Sequence, residues 1–563
     1  MKQVFVLLIS FLLGCTSWAF PGNPNGWWPQ QKAPKQIVTC TIKHHNDMRE
    51  QNLAQSVSGL AAQSLNEDAL DEGVWITTTN HDYAIYFASL MKRLATKNGG
   101  KYDVWSLVDR YIKKGIIKGY ILYDLKTQDN AINLATVYAG IKKGILIDVT
   151  QEELVKSKGL TKLYDATGKV FDANAFVALQ AELNPNLVVV ANPQFFNNRD
   201  YAIAHKSMVY YGVDSLFMSV LQWVKPLSPV IGWNKGDEFK HIEPCTRYGL
   251  INTATDWCMN LPLLTIADDK GEGKVQSLDP KTINWKEKEN YHAFVMSDGD
   301  NMQWTFGGFL NNKDYWANSN NASIPMSFTS CVLNLSLAGP DVYNYLLHSQ
   351  PDHTSVVEYG GGYYYPDLFA KARPDGEKIL RQYAAMINVQ MKKTGTKVFG
   401  FICRNIASEE AIKAYRIYAE EIEDLTGMIA VQYSPYNGAL GKTIWVKNKK
   451  GVEVPVVAAM YQLWANLPKP GSGDPQQLAG WINNDNKNSR ADNRQLNWTI
   501  VHAWSSFPQA GNSNDTKVRG VTPVAQTKSQ IEKGTKVVSI EELLWRIRMQ
   551  HDAAATRKLI ETK

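Results

Sequence analysis

"HAFVMSDGDN", residues 292–301, sets a short apolar run against an abrupt acidic end. His292–Ser297 is too short for a stable helix and is closed by Asp-Gly-Asp-Asn, which is turn chemistry. The run therefore reads as a buried strand. The same pattern returns downstream in "IPMSFTSC" (324–331), "TSVVEY" (354–359), "KVFGFIC" (397–403) and "MIAVQY" (428–433). It continues in "VPVVAAMY" (454–461), "NWTIVHAW" (497–504) and a short "KVVS" (536–539). Helical patterns lie between most of these, the clearest being "GEKILRQYAAMINVQMKK" (376–393) and "SEEAIKAYRIYAEEIEDL" (408–425). About eight β/α units over roughly 270 residues is the size of a (β/α)-barrel, and an open doubly wound sheet gives the same pattern.

Upstream, from about Val74 to Val230, helix-like and strand-like segments also alternate. "YDVWSLVDRYIKKG" (102–115) is amphipathic at helical spacing, and "IIKGYILYDL" (116–125) is rich in strand formers. "NLVVVANP" (186–193) is a continuous apolar run bounded by Asn and Pro, as strands buried on both faces are. A polar stretch from about Ala267 to Asn290, containing "DDKGEGK" and "DPKT", reads as a boundary. The expected fold class is α/β. An N-terminal α/β domain with a mostly parallel sheet spans 20–270, and a C-terminal (β/α)-barrel-like domain spans 285–563.

Hydrophobic residues at 44% and charged ones at 20% describe a globular chain. A net charge of +6 over 563 residues, with no dense Lys/Arg block, argues against a nucleic-acid binder. Seventeen Trp and 26 Tyr is a high aromatic count, which a large core would use and which also suits the apolar face of a sugar. Lys2 and the apolar run 4–14 form a signal peptide, too short to span a bilayer as a mature helix. "LLGC", ending at Cys15, looks like a lipobox; "SWAF" (17–20) offers cleavage before Phe20. Either route exports the protein to the periplasm or cell surface, with a lipid anchor on the first and no transmembrane helix in the mature chain. No CxxC or Cys/His spacing suggests a metal site. Cys245 and Cys258 are near enough in sequence to pair in an oxidising compartment. Five cysteines beyond Cys15 leave at least one free and buried.

In a barrel, chemistry belongs at the C-terminal ends of the strands. Standing there are Asp298, Asp300 and Asn301, then Glu358, then Arg404, and finally His502 and Trp504. Two aspartates two apart on an extended segment point to one side, roughly 7 Å apart at Cα, and raise one another's pKa. They suit acid–base work or a cation; a calcium loop fails at Met302. In the first half "GWNKGDE" (232–238) offers Trp233, Asp237 and Glu238 towards the second domain.

"GGGYYYP" (360–366) matches Gly-x-Gly-Tyr-x-Tyr-Pro at Gly360, Gly362, Tyr363, Tyr365 and Pro366. With "RDYAIA" (199–204), "GWNKGDE" and "SDGDN", the chain resembles the GxGYxYP family, a group assigned to the bacterial glycoside hydrolases. The resemblance implies an exported carbohydrate-active enzyme with a barrel-like fold. The glycines permit positive φ, and Tyr363 and Tyr365, alternating on an extended stretch, would form an aromatic wall for a sugar. Glycoside hydrolysis needs two carboxyl groups, about 5 Å apart for retention or roughly 6.5–9.5 Å for inversion. Asp298 or Asp300 is expected as one, Glu238 or Glu358 as the other, with Asp237 in reserve. No cofactor is expected. A metal-dependent polysaccharide deacetylase would pair the aspartates with His-x-x-x-His, but His348 and His353 are one residue too far apart. A glycan-binding surface protein without chemistry would use the same aromatics.

Overall fold

A computed structural model describes residues 28–127, 129–268, 273–465, 467, 469–490, 493–509 and 517–562. The signal peptide and Cys15 lie outside these residues. Among the described residues no helix is long and apolar enough to cross a membrane.

The first half is α/β with parallel strands, distributed over three small sheets rather than one. Gln36–Thr41 lies between Glu72–Ile76 and Lys97–Asp103. Gly119–Tyr123 lies between Gly144–Asp148 and Lys162–Asp165. In the third sheet Ile251–Thr253, Pro229–Gly232, Val188–Val190 and Met208–Tyr210 follow one another. The Val188–Val190 strand is buried throughout, as its unbroken apolar run requires. Met48–Asn66 is a helix buried almost all round although many of its residues are polar. It crosses the Arg199–Ala204 helix closely because Gly59 carries no side chain; a Cβ there would sit 2.6 Å from the Asp200 carbonyl oxygen.

In the second half every run singled out in the sequence becomes a strand of one sheet. Its order is Thr443–Lys447, Glu453–Ala458, Gly427–Gln432, Val398–Cys403, Ser355–Glu358, Ser327–Ser330, Asn290–Met296, Leu496–Val501, Tyr461–Leu463 and Ser472–Gly473. Thr535–Val537 pairs with the start of Asn290–Met296. All pairs are parallel except the antiparallel edge strand Thr443–Lys447. "VPVVAAMY" is two strands: only Ala459 and Met460 separate Glu453–Ala458 from Tyr461–Leu463. The first pairs with Gly427–Gln432, the second with Leu496–Val501 on the opposite flank. A chain that links the two flanks in two residues demands a curled sheet. The barrel-like expectation is met in that coarser form, a curled and mostly parallel sheet.

One apolar cluster runs from Trp28 through Val524, so both halves share a core. Arg93 pairs with the fully buried Asp341 across them at 2.8 Å; removing either partner would strand a buried charge. Cys40, Cys245, Cys258, Cys331 and Cys403 are all free and buried. The Cys245–Cys258 pairing therefore does not form. Cys245 faces the core from the Glu238–Arg247 helix, while Cys258 packs beside the Tyr83 hydroxyl. Burial pushes both thiols up.

Candidate active site

The Asn290–Met296 strand delivers its acidic end to a cleft, but not in extended form. Asp298 adopts a left-handed φ of 68°, so the chain turns there and Asp298 and Asp300 do not share a strand face. Gly299 lies so tightly under the neighbouring strand that a Cβ would stand 1.9 Å from the Thr329 carbonyl oxygen. The turn is thus fixed by backbone packing. Asp298 accepts hydrogen bonds from the Ser297 hydroxyl and, at 2.9 Å, from the Trp504 indole N–H. Asp300 is pushed up to about 8, first by burial and then by the negative charges of Asp298 and Glu238. It therefore carries a proton at neutral pH.

Glu238 comes from the first half, in the opening turn of the Glu238–Arg247 helix. Asp237 is that helix's N-cap, accepting from the Lys240 amide at 2.8 Å, which explains its presence without chemistry. The Glu238 carboxylate accepts hydrogen bonds from the Tyr363 hydroxyl at 2.9 Å and the Tyr436 hydroxyl at 3.4 Å. Burial raises its pKa, the two tyrosines oppose the rise, and Asp298 adds to it.

The glycine run joins the two halves. Gly360, Gly361 and Gly362 all take positive φ. Gly362 lies against the Ile251–Thr253 strand, where a Cβ would meet the Asn252 carbonyl oxygen at 2.2 Å. The Tyr363 amide donates to that same oxygen at 2.7 Å. Tyr363 and Tyr365 do lie together, ring centroids 5.6 Å apart. Their exposures of 5% and 0%, however, make them a covered floor rather than an open stacking wall. The loop that carries them is pressed onto the first half.

A cleft of about 650 Å³ gathers Trp233, Asp237, Glu238, Asp298, Asp300 and Asn301 with Tyr363, His502 and Trp504. Asn301 caps the Trp304 amide at 3.2 Å. His502 stacks on Trp464 at 3.7 Å; burial lowers its imidazole pKa against the pull of Asp298. Five expected residues lie off the cleft wall. Glu358 is fully buried and accepts from the Leu333 and Gly360 amides, each at 2.9 Å, so it braces the glycine loop. Arg404 lies over Phe239 at 3.9 Å and donates to the Tyr433 carbonyl at 2.9 Å, holding two cleft walls from behind. Tyr365, Gly360 and Gly362 form the packed turn.

The cleft also contains Asp256, Trp257, Tyr359, Tyr433, Tyr436 and Trp464, none of which the sequence reading chose. The same rule would have found most of them. Tyr433 and Trp464 directly follow strands, and Asp256 and Trp257 stand just beyond Ile251–Thr253. His348 and His353, the near-motif of a deacetylase, are exposed and lie away from the cleft. Among the described residues no three His, Cys, Asp or Glu side chains converge as one metal ion's ligands would.

Residues 288–544 match the family model described as "GxGYxYP putative glycoside hydrolase C-terminal domain". Residues 117–187 match its "GxGYxYP_N second domain", and 185–265 its "GxGYxYP third domain". No curated protein matches the chain. A solved structure titled as a "putative hydrolase from Bacteroides thetaiotaomicron VPI-5482" superposes with a TM-score of 0.76 at 20% identity. The match covers 93% of this chain and 97% of that one, and at such identity it speaks for the fold alone. With three family domains matched along most of its length, including the glycine–tyrosine turn that seals its two halves, the chain belongs to the GxGYxYP family.

Proposed function

We propose that the protein is an exported glycoside hydrolase acting on an oligosaccharide or polysaccharide, with Asp300 as its general acid. The observation that carries this is the convergence of Glu238, Asp298 and Asp300 in one aromatic-lined cleft, with Asp300 raised to about 8. A carboxyl kept protonated at neutral pH can give its proton to the glycosidic oxygen as the C–O bond breaks. Asp298 stands in the same cleft, and its charge adds to what burial does to keep the proton on Asp300. Glu238, fixed by two tyrosine hydroxyls and contributed by the other half of the chain, is the carboxylate that serves the sugar's anomeric carbon, directly or through water. Trp233, Trp257, Trp464 and Trp504 supply the flat apolar surfaces that a pyranose packs against.

The test is hydrolysis of a broad glycan panel by the wild type, Asp300→Asn, Glu238→Gln and Asp298→Asn, each checked for folding by circular dichroism. Product from the wild type, lost on Asp300→Asn and Glu238→Gln, supports the assignment. Binding without release of product by the wild type would replace it with a glycan-binding role.

A further inference from the structure

A second cavity of about 490 Å³ opens beside the carboxylate cleft, and the two share Trp257, Gln303 and Trp504 as common walls. Its far side is built from the first half, including Thr79 and Asn197, and its near side from Asn312 and Tyr315 of the second. The halves are tied at its rim, where the Asn80 side chain donates to the Gly307 carbonyl.

The shared wall has the character of a mounted platform. Trp257 is 58% exposed and Trp504 39%, while most large aromatics of this chain are buried. An indole left this open forgoes part of the burial that usually keeps a large aromatic inside. Yet neither residue is loosely held. The Trp257 amide donates to Gln303 Oε1 at 2.7 Å, and the Gln303 amide donates to the Ala254 carbonyl at 3.0 Å. Trp504 is fixed through its indole N–H to Asp298 and packs on Trp304 at 4.9 Å. Beyond the platform the lining mixes polar and aromatic side chains, including buried Gln51 and Trp304, whose Oε1 and Nε1 find no hydrogen-bond partner among the described residues. An anchored aromatic surface followed by amide, hydroxyl and indole groups suits a chain of polyhydroxylated rings.

We propose that the second cavity receives sugar units that continue from the scissile bond across Trp257 and Trp504, so that the substrate is an extended oligosaccharide chain. This rests on the reading of the cleft as a glycan site, and it does not require that the glycan be cut. Ligand pockets of about 300–1,000 Å³ each hold a compact molecule, and two joined cavities exceed what a disaccharide would fill.

Calorimetry on the Asp300→Asn protein with ladders of gluco-, manno-, xylo- and chito-oligosaccharides, from disaccharide upward, tests the proposal. On the ladder that binds, affinity should rise with chain length. Trp257→Ala should flatten that rise by about three- to tenfold at the longest member, the worth of one aromatic contact. Thr79→Trp, an exposed rim position that tolerates bulk, should flatten it as well. Affinity that does not depend on length, a rise that survives both substitutions, or no binding by any ladder overturns the proposal. The two readings fail separately. Hydrolysis of short glycans with no gain from length leaves the hydrolase and removes the extended site. Length-dependent binding without hydrolysis by the wild type does the reverse.

Discussion

Trp504 donates its indole N–H to Asp298 Oδ1 at 2.9 Å, joining two residues 206 positions apart. That indole lines the cleft, and its N–H holds the carboxylate that, after burial, does most to raise the pKa of Asp300. Binding surface and acid–base machinery are thus one assembly. Trp504→Phe keeps the aromatic surface and removes the donor. A hydrogen bond to a charged group contributes about 1.5–3 kcal/mol, so kcat should fall about ten- to a hundredfold with KM changed much less. Steady-state kinetics on a glycan that the wild type cleaves decides it; a loss confined to KM would show that the donor is irrelevant to chemistry.

The pH profile follows from the same trio. Asp300 must be protonated to act as the acid, so activity should fall as pH rises through about 8. Burial raises that pKa most, and Asp298 is the next contributor. Asp298→Asn should therefore leave a weaker enzyme whose alkaline limb lies at lower pH than that of the wild type. A limb that stays in place would mean another group gives the proton.

Stability should carry the same signature. An unfolded Asp titrates near 3.8, whereas folded Asp300 holds its proton up to about 8. Between those values the folded state binds the extra proton, so rising pH favours the unfolded chain. The stability associated with the protonated group is complete below 3.8 and lost as pH climbs towards 8. Asp300→Asn does not titrate. Its stability should match the wild type's near pH 4 and exceed it at pH 8 by on the order of 5 kcal/mol, with a higher melting temperature there. Thermal scans across that range would refute the assignment if the gap closed with rising pH.

Much of this was legible in the chain itself. Apolar runs ending in polar turns identified most strands of the large sheet, because a strand buried on both faces has no room for other composition; the edge strands Thr443–Lys447 and Ser472–Gly473 carry no such run and escaped the reading. The same rule placed Asp298, Asp300, His502 and Trp504 in one cleft. Glu358 misled for a physical reason: a strand-end carboxylate can face backbone amides as well as a ligand, and spacing does not tell the two apart. Tyr436 was missed because its role depends on which loop the fold brings opposite Glu238, whereas Trp257 stands just beyond a strand end and was open to the same rule. "GGGYYYP" advertised an aromatic wall, yet its tyrosines are covered. The glycines are there for contact between backbones, which no period in the sequence records.

That last point yields a test of how the halves are joined. Gly362→Ala places a methyl 2.2 Å from the Asn252 carbonyl oxygen, a backbone atom that cannot swing aside. Relief requires the glycine loop to lift from the Ile251–Thr253 strand, which would break the Tyr363–Asn252 bond and displace the hydroxyl that holds Glu238. The expected cost is about 2 kcal/mol or more, and activity should fall even at temperatures where the protein stays folded. Gly480→Ala is the matched control. It lies exposed in the Pro475–Asn488 helix with open space where the Cβ would go. There alanine should stabilise by roughly 0.5–1 kcal/mol. If denaturant titration shows Gly362→Ala as harmless as Gly480→Ala, the close approach of loop and strand does not hold the two halves in register.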